Sequence, residues 1–190
     1  MKTKGKASVK SKVKAPKKAH KDGILTEKKK KGGHFCTYLE TDQELAKKFH
    51  EAGFGFVIGD SIEFHPLEAA YLVKLGKSEF ESKGLNAFIS DQKKKNKLFP
   101  FSFAVYSHIR TSGRQVRPFI KESNYFRVYA PGVGREEERP SQLVCLMPGK
   151  LSPKALVEEI ALAHRMRMDL IIAHGIEADI RFYKVSSFNF

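Results

Sequence analysis

Tyr125-Phe126-Arg127-Val128-Tyr129-Ala130-Pro131-Gly132 is the stretch on which the reading of the chain turns. Aromatic and β-branched residues followed by a Pro-Gly break mark a strand that ends in a turn. Alternation would put Arg127 and Tyr129 on one face and Phe126 and Val128 on the other. A tyrosine at the last position of a strand is held by the sheet, with its hydroxyl free at the edge. That suits a functional group; a plain core tyrosine is the other reading.

Upstream of this strand, Phe99, Phe103, Tyr106 and Ile109 recur at helical spacing from Phe99 to Thr111, and Gly113 ends the run. Gln115 to Phe119 reads as a short strand. Downstream, a charged loop holds Glu136, Glu137 and Glu138, and Gln142 to Met147 is a strand. Ser152-Pro153 opens a helix with Leu156, Ile160 and Ala163 inward, reaching about Met168. Leu170 to Ala173 is a buried strand and Ile180 to Val185 the last one. Between them lies a loop, His174 to Asp179, carrying Glu177 and Asp179.

The first half has its own pattern. His34 to Leu39 reads as a short strand. Thr41 or Asp42 caps a helix with Leu45, Phe49 and Ala52, stopped by Gly53. Gly59-Asp60-Ser61, between two alternating runs, is a hairpin signal. Pro66 opens a helix that Gly76 closes, and a third helix covers Gly84 to Asp91. The run Gln92 to Lys97 reads as a solvated linker, with a phosphate-facing patch as the alternative, and the domain boundary is placed there. The expected divisions are a disordered lysine-rich tail over 1–33, a small domain over 34–95 and a second domain over 96–190.

Composition bounds the function. The chain has 190 residues, 41% hydrophobic content and 15 Phe, enough for a real core. No apolar run approaches the roughly 18 residues a membrane span needs, and no apolar segment follows the basic N-terminus as in a secretory signal. Two cysteines, Cys36 and Cys145, are too few for a disulfide framework or a usual zinc site. An intracellular, cytoplasmic setting is expected. Net charge is +14, and residues 1–33 hold 13 lysines against only Asp22 and Glu27. Such a tail suits a polyanion, because lysines neutralise phosphates and release counterions; a solubilising tail is the alternative.

The order and spacing of these pieces resemble the tRNA-splicing endonuclease family, in its archaeal form, over about residues 50–186. Gly53-Phe54-Gly55 through Gly59-Asp60, and Leu67-Glu68-Ala69-Ala70-Tyr71-Leu72-Val73-Lys74-Leu75-Gly76, resemble the family's small-domain hairpin and its Glu-Ala-x-Tyr-Leu helix. Ile109-Arg110-Thr111-Ser112-Gly113, followed by Phe126-Arg127-Val128-Tyr129, resembles the hallmark of its nuclease-fold domain. The fold class expected is α+β. A small N-terminal α/β domain of three helices and a short sheet precedes a nuclease-like α/β domain, whose mixed sheet is flanked by helices.

The resemblance implies a cofactor-free and metal-independent cleavage. The 2′-hydroxyl attacks the adjacent phosphorus and leaves a 2′,3′-cyclic phosphate and a 5′-hydroxyl. A base, an acid and a cation are required, and the family assigns them to Tyr, His and Lys. Carried over, the Tyr position is Tyr129, the His position falls on Arg139 and the Lys position on Met168. Arginine does not give up its proton near neutral pH, and methionine carries no charge. His164 and Arg167 are nearby candidates for displaced catalysts, although Arg167 would need a different backbone path from that of a continued helix. Ala161 stands near where the family often has a base-stacking arginine.

The chain is therefore expected to resemble the structural subunit of a two-gene enzyme, an α2β2 heterotetramer with a catalytic endonuclease subunit acting on precursor tRNA. In that arrangement Glu177 and Asp179 enter a basic pocket of the opposite chain, and the last strand, with Arg181, Phe182 and Tyr183, pairs with a partner. Lys93, Lys94, Lys95 and Arg127 are the expected RNA contacts. An active enzyme with a relocated triad, or a general RNA-binding module, are the alternatives.

Overall fold

The computed structural model describes residues 23–29, 36–119, 124–130, 139–150 and 152–185. The first sheet has the order β3-β4-β2-β1-β5, formed by β1 (Ile24–Lys29), β2 (Cys36–Glu40), β3 (Phe56–Ile58), β4 (Ser61–Phe64) and β5 (Glu79–Phe80). All its pairs are antiparallel except β1 with β5. Three helices accompany it: α1 (Gln43–Glu51), α2 (Pro66–Lys74) and α3 (Leu85–Lys95).

Each helix has a local cause. Asp42 caps α1, its carboxylate accepting the Glu44 and Leu45 N–H groups. His65 caps α2 in a reciprocal box: its Nδ1 accepts from Leu67 N–H at 3.2 Å, and Glu68 accepts from His65 N–H at 2.9 Å. Gly76, at φ +70°, lets the chain turn off after α2.

The tail expected over 1–33 is cut short by β1, which lies between β2 and β5. Two buried carboxylates hold it there. Glu40 accepts from the Ile24 N–H at 2.7 Å and from Ser78 Oγ at 3.0 Å. Glu63, fully buried, accepts from Lys28 Nζ and Thr37 Oγ, both at 2.8 Å. A lysine-rich segment becomes a strand because its partners bring the counter-charges.

The expected linker Gln92–Lys97 is also corrected. Gln92 to Lys95 complete α3, and Gln92 is buried, its amide donating to Tyr38 Oη at 3.4 Å. Only three residues separate α3 from α4 (Phe99–Thr111). α4 packs on α2 and α3. Phe88, Phe99, Tyr106 and Phe126 therefore belong to one apolar cluster that runs through both halves of the chain. Arg110 adds a clamp across them: its guanidinium stacks on Phe54 at 3.8 Å and donates to the Ala52 carbonyl at 3.1 Å.

The second sheet has the order β10-β9-β8-β7-β6, from β6 (Val116–Pro118), β7 (Tyr125–Val128), β8 (Gln142–Met147), β9 (Asp169–Ile176) and β10 (Asp179–Val185). β8 and β9 run parallel and the other pairs antiparallel. The crossover between β8 and β9 is α5 (Pro153–Met166). Alternation along β8 feeds two cores. Val144 and Leu146 join the cluster that contains α4, whereas Leu143 and Cys145 join Ala163 of α5, Leu170 and Ile172. The sheet is thus covered by α4 on one face and α5 on the other, the α+β architecture read from the sequence.

Two boundaries differ from expectation. β9 extends to Ile176 and β10 starts at Asp179, so the loop expected over His174–Asp179 shrinks to the turn Glu177-Ala178. Gly175, at φ +117°, makes this possible, because a side chain there would run into the carbonyl oxygen of Asp179. α5 stops at Met166, before the expected Met168.

Candidate functional site

Three strand ends meet at one edge of the second sheet. The register aligns Val128 of β7 with Gln142 of β8, and Gln142 with Asp169 of β9. Ser141 ties the ends together: its N–H donates to the Val128 carbonyl at 3.0 Å, and its own carbonyl accepts the Asp169 N–H at 2.9 Å. Tyr129 and Met168 each stand one residue beyond these ladder positions, and Arg139 stands two residues before Ser141. The sheet thus gathers the three positions picked out in the sequence, although they lie up to 39 residues apart. The segment 131–138, with the Pro131-Gly132 break and Glu136 to Glu138, lies outside the described residues.

The three side chains have different surroundings. Tyr129 sits just past the end of β7, with its N–H on the Gln115 carbonyl at 3.0 Å, and is only 9% exposed. Tyr129 lies past the last residue of β7 and is buried, as in the core-tyrosine reading, whereas Arg127 within the strand is exposed. Arg139 is exposed. Met168 is half-buried and packs on the cluster of Leu143, Cys145, Ala163, Leu170 and Ile172. Arg127 is exposed, with its guanidinium over the Phe119 ring at 4.3 Å.

Beside Met168 opens a cleft of about 650 Å³. Its polar lining comes from Ser141, His164, Arg167, Asp169 and Lys184, and Tyr129 is not among its walls. Lys184 Nζ and Asp169 Oδ2 form an ion pair at 2.8 Å. Arg167 has φ 56° and ψ 46°, the only positive φ at a non-glycine position among the described residues. It ends α5 in the left-handed conformation, with its N–H on the His164 carbonyl and the Met168 N–H on the Ala163 carbonyl, both at 3.0 Å. The helix therefore does not continue through Arg167, and Arg167 and Met168 both line the cleft. Ser141, Asp169 and Lys184 were not picked out in the sequence. Their meeting depends on the pairing of Val185 with Leu170, which no local pattern announces.

Behind this edge, Cys145 is buried and free, and burial followed by the neighbouring Glu159 pushes its thiol up to about 12. Tyr125 Oη donates to Glu159 at 2.8 Å on the same side of the sheet. Such a thiol is inert packing. Among the described residues no group of three or more His, Cys, Asp or Glu is placed to hold a metal ion, and no helix is long and apolar enough to cross a membrane.

The remaining expected contacts lie elsewhere. Glu177 is exposed at the β9–β10 turn, and Asp179 accepts from Arg181 at 3.1 Å, which raises the Arg181 guanidinium further. Tyr183 and Arg181 face outward on the edge strand β10. Phe182 turns inward instead, 5.1 Å from the His108 ring. Lys93, Lys94 and Lys95 form the exposed last turn of α3, away from the strand ends. Lys94 is paired with Asp91 and Lys95 with Glu27. The Asp91 carboxyl is held below its ordinary range by its hydrogen bonds to Lys83 and Lys94.

No family model matches the chain. Similarity to curated proteins nevertheless covers 77% to 80% of the chain. The tRNA-splicing endonuclease of Thermococcus kodakarensis is 32% identical over 155 residues, which cover 77% of this chain and 90% of that protein. The tRNA-splicing endonuclease of Thermococcus gammatolerans is 29% identical over the same shares. That of Methanosarcina mazei is 29% identical over 164 residues, 80% of this chain but 46% of the longer relative. With one relative above 30% identity matched over nearly its full length, and with the fold in agreement, this chain belongs to the tRNA-splicing endonuclease family.

Proposed function

We propose that this chain is the structural, non-catalytic subunit of a heteromeric tRNA-splicing endonuclease. In this reading it assembles with a catalytic subunit as an α2β2 tetramer in the cytoplasm, and the complex removes introns from precursor tRNA at bulge–helix–bulge sites. The observation that carries the reading is Met168. Where phosphoryl transfer needs a cation against the developing charge, an apolar side chain packs into an apolar cluster. At the position expected for the acid stands Arg139, and arginine is not a general acid. Tyr129 alone supplies one of three roles, and it is buried.

The assembly surface in this reading is the β9–β10 hairpin. Glu177 projects at its turn, and β10 leaves one edge of the sheet unpaired within the described residues. Carboxylates presented this way suit a cationic pocket. Lys93 to Lys95, Arg127 and the lysine-rich N-terminal segment are proposed to meet the tRNA backbone.

One specific observation favours a second reading, an active enzyme with relocated groups. Arg167 and His164 line the cleft beside Met168. The experiment that separates the two is reconstitution. The chain is mixed with a homologue that keeps Tyr, His and Lys, and native mass and cleavage of a bulge–helix–bulge precursor are measured. An α2β2 mass with cleavage dependent on the homologue supports the structural reading. Undiminished cleavage without the homologue supports the relocated site.

A further inference from the structure

Arg167 occupies a position where glycine or asparagine is the ordinary choice, because a Cβ disfavours the left-handed region. Basic residues in a last helical turn are commonly explained by the helix dipole, and His164 and Arg165 fit that account. Arg167 does not. The dipole would be served equally by a cation within the helix, with no unfavourable backbone. A strained conformation kept at the wall of a cleft points to a task for the side chain.

The rest of the cleft agrees. Lys184 comes from β10, on a different element from the helix, and its charge is shared with Asp169. No ion pair of Arg167 is found among the described residues, so its planar guanidinium keeps its full donor capacity. Ser141 and His164 add polar groups to the same wall. Cations from two elements, one with a free fork of donors, match the tetrahedral oxygens of a phosphate group.

We propose that this cleft is a non-catalytic phosphate-binding site in which Arg167 is the principal donor, Lys184 supplies a second charge, and Ser141 and His164 complete the wall. Resting on the structural-subunit reading, the phosphate is a backbone phosphodiester of the RNA that the assembly holds, gripped without being cut; free inorganic phosphate is the other source of the same chemistry.

The test uses the full chain and local nuclear magnetic resonance signals of the cleft, the Arg167 Nε–H and the Ser141 and Lys184 backbone amides, so the lysine-rich segment does not dominate the readout. The probes are inorganic phosphate and a 2′-O-methyl RNA pentanucleotide, which cannot be cleaved. The expected result is a saturable shift of the Arg167 Nε–H resonance with the pentanucleotide, at about tenfold lower concentration than with phosphate. Arg167→Gly should raise the melting temperature while losing the saturable shifts of the Ser141 and Lys184 amides, and Arg165→Ala should leave those shifts saturating within about twofold of the parent concentration. Saturation by phosphate alone keeps the site and assigns it to free phosphate. No saturation with either probe overturns the proposal, as does an Arg165→Ala loss equal to that of Arg167→Gly. Only binding by the lone chain is scored, so failure here leaves partner-dependent cleavage untouched, and failure of partner dependence leaves this site untouched.

Discussion

The N–H of Asp169 donates to the carbonyl oxygen of Ser141 at 2.9 Å, which joins the start of β9 to the start of β8. Through this bond Met168 comes to lie beside the strand end that follows Arg139, next to the end of β7 that precedes Tyr129. The backbone therefore brings positions 129, 139 and 168 to one edge of the sheet.

On the proposed structural-subunit reading, Met168→Lys tests whether a single added charge restores cleavage. The new ammonium would meet the cluster of Leu143, Cys145, Ala163, Leu170 and Ile172. Its long stem lets it reach the cleft, so the expected loss of stability is modest, about 1 kcal/mol by urea denaturation. Cleavage should stay undetectable, because Arg139 still cannot act as an acid. Activity gained by this single change would show that the acid is already present elsewhere.

The buried cap of α2 sets a pH response. Desolvation raises Glu68 to about 7 from 4.5, opposed by hydrogen bonds from His65 and Gly55 and by the charges of Arg117 and Arg110. Its contribution is full below about 4.5 and is lost as the pH rises through 7. Desolvation lowers His65 from 6.5 to about 3, so its contribution is full above 6.5 and is lost as the pH falls toward 3. Between 6.5 and 4.5 the two oppose each other at about 1.4 kcal/mol per pH unit and cancel. Glu68→Gln leaves only the His65 response, so the variant should lose stability from pH 6.5 downward, where the parent holds steady. Parallel urea midpoints for the two proteins across that range would contradict this.

Two truncations separate β1 from the residues before it. A chain starting at residue 23 keeps β1, whereas one starting at residue 34 deprives Glu40 of its Ile24 partner and buried Glu63 of Lys28. An uncompensated buried carboxylate costs about 3–5 kcal/mol. The shorter chain should therefore unfold at clearly lower denaturant concentration than the longer one. Equal midpoints would return β1 to the tail.

Gly175→Ala should destabilise the β9–β10 hairpin by about 2 kcal/mol or more, since φ +117° and the Asp179 carbonyl both exclude a Cβ. A denaturant midpoint unchanged from the parent would contradict the turn geometry.

Much of the second half of the chain was legible because its signals are local. The aromatic spacing of α4, the Ser152-Pro153 start of α5 and the apolar run of β8 each carry their own period. β1 was not legible, because what makes Ile24–Lys29 a strand is Glu40 and Glu63, far along the chain. The end of α3 was misread for the same reason: Gln92, inside a run of lysines, is buried against Tyr38. In the site, positions 129, 139 and 168 could be counted from motifs. The cleft could not, because Lys184 reaches it only through the pairing of β9 with β10.

The central claim is tested most directly by single-turnover cleavage of a bulge–helix–bulge precursor tRNA with the purified chain alone in large excess. The account predicts binding of the precursor and no cleavage product. Release of fragments ending in a 2′,3′-cyclic phosphate, abolished by Tyr129→Phe, would contradict it.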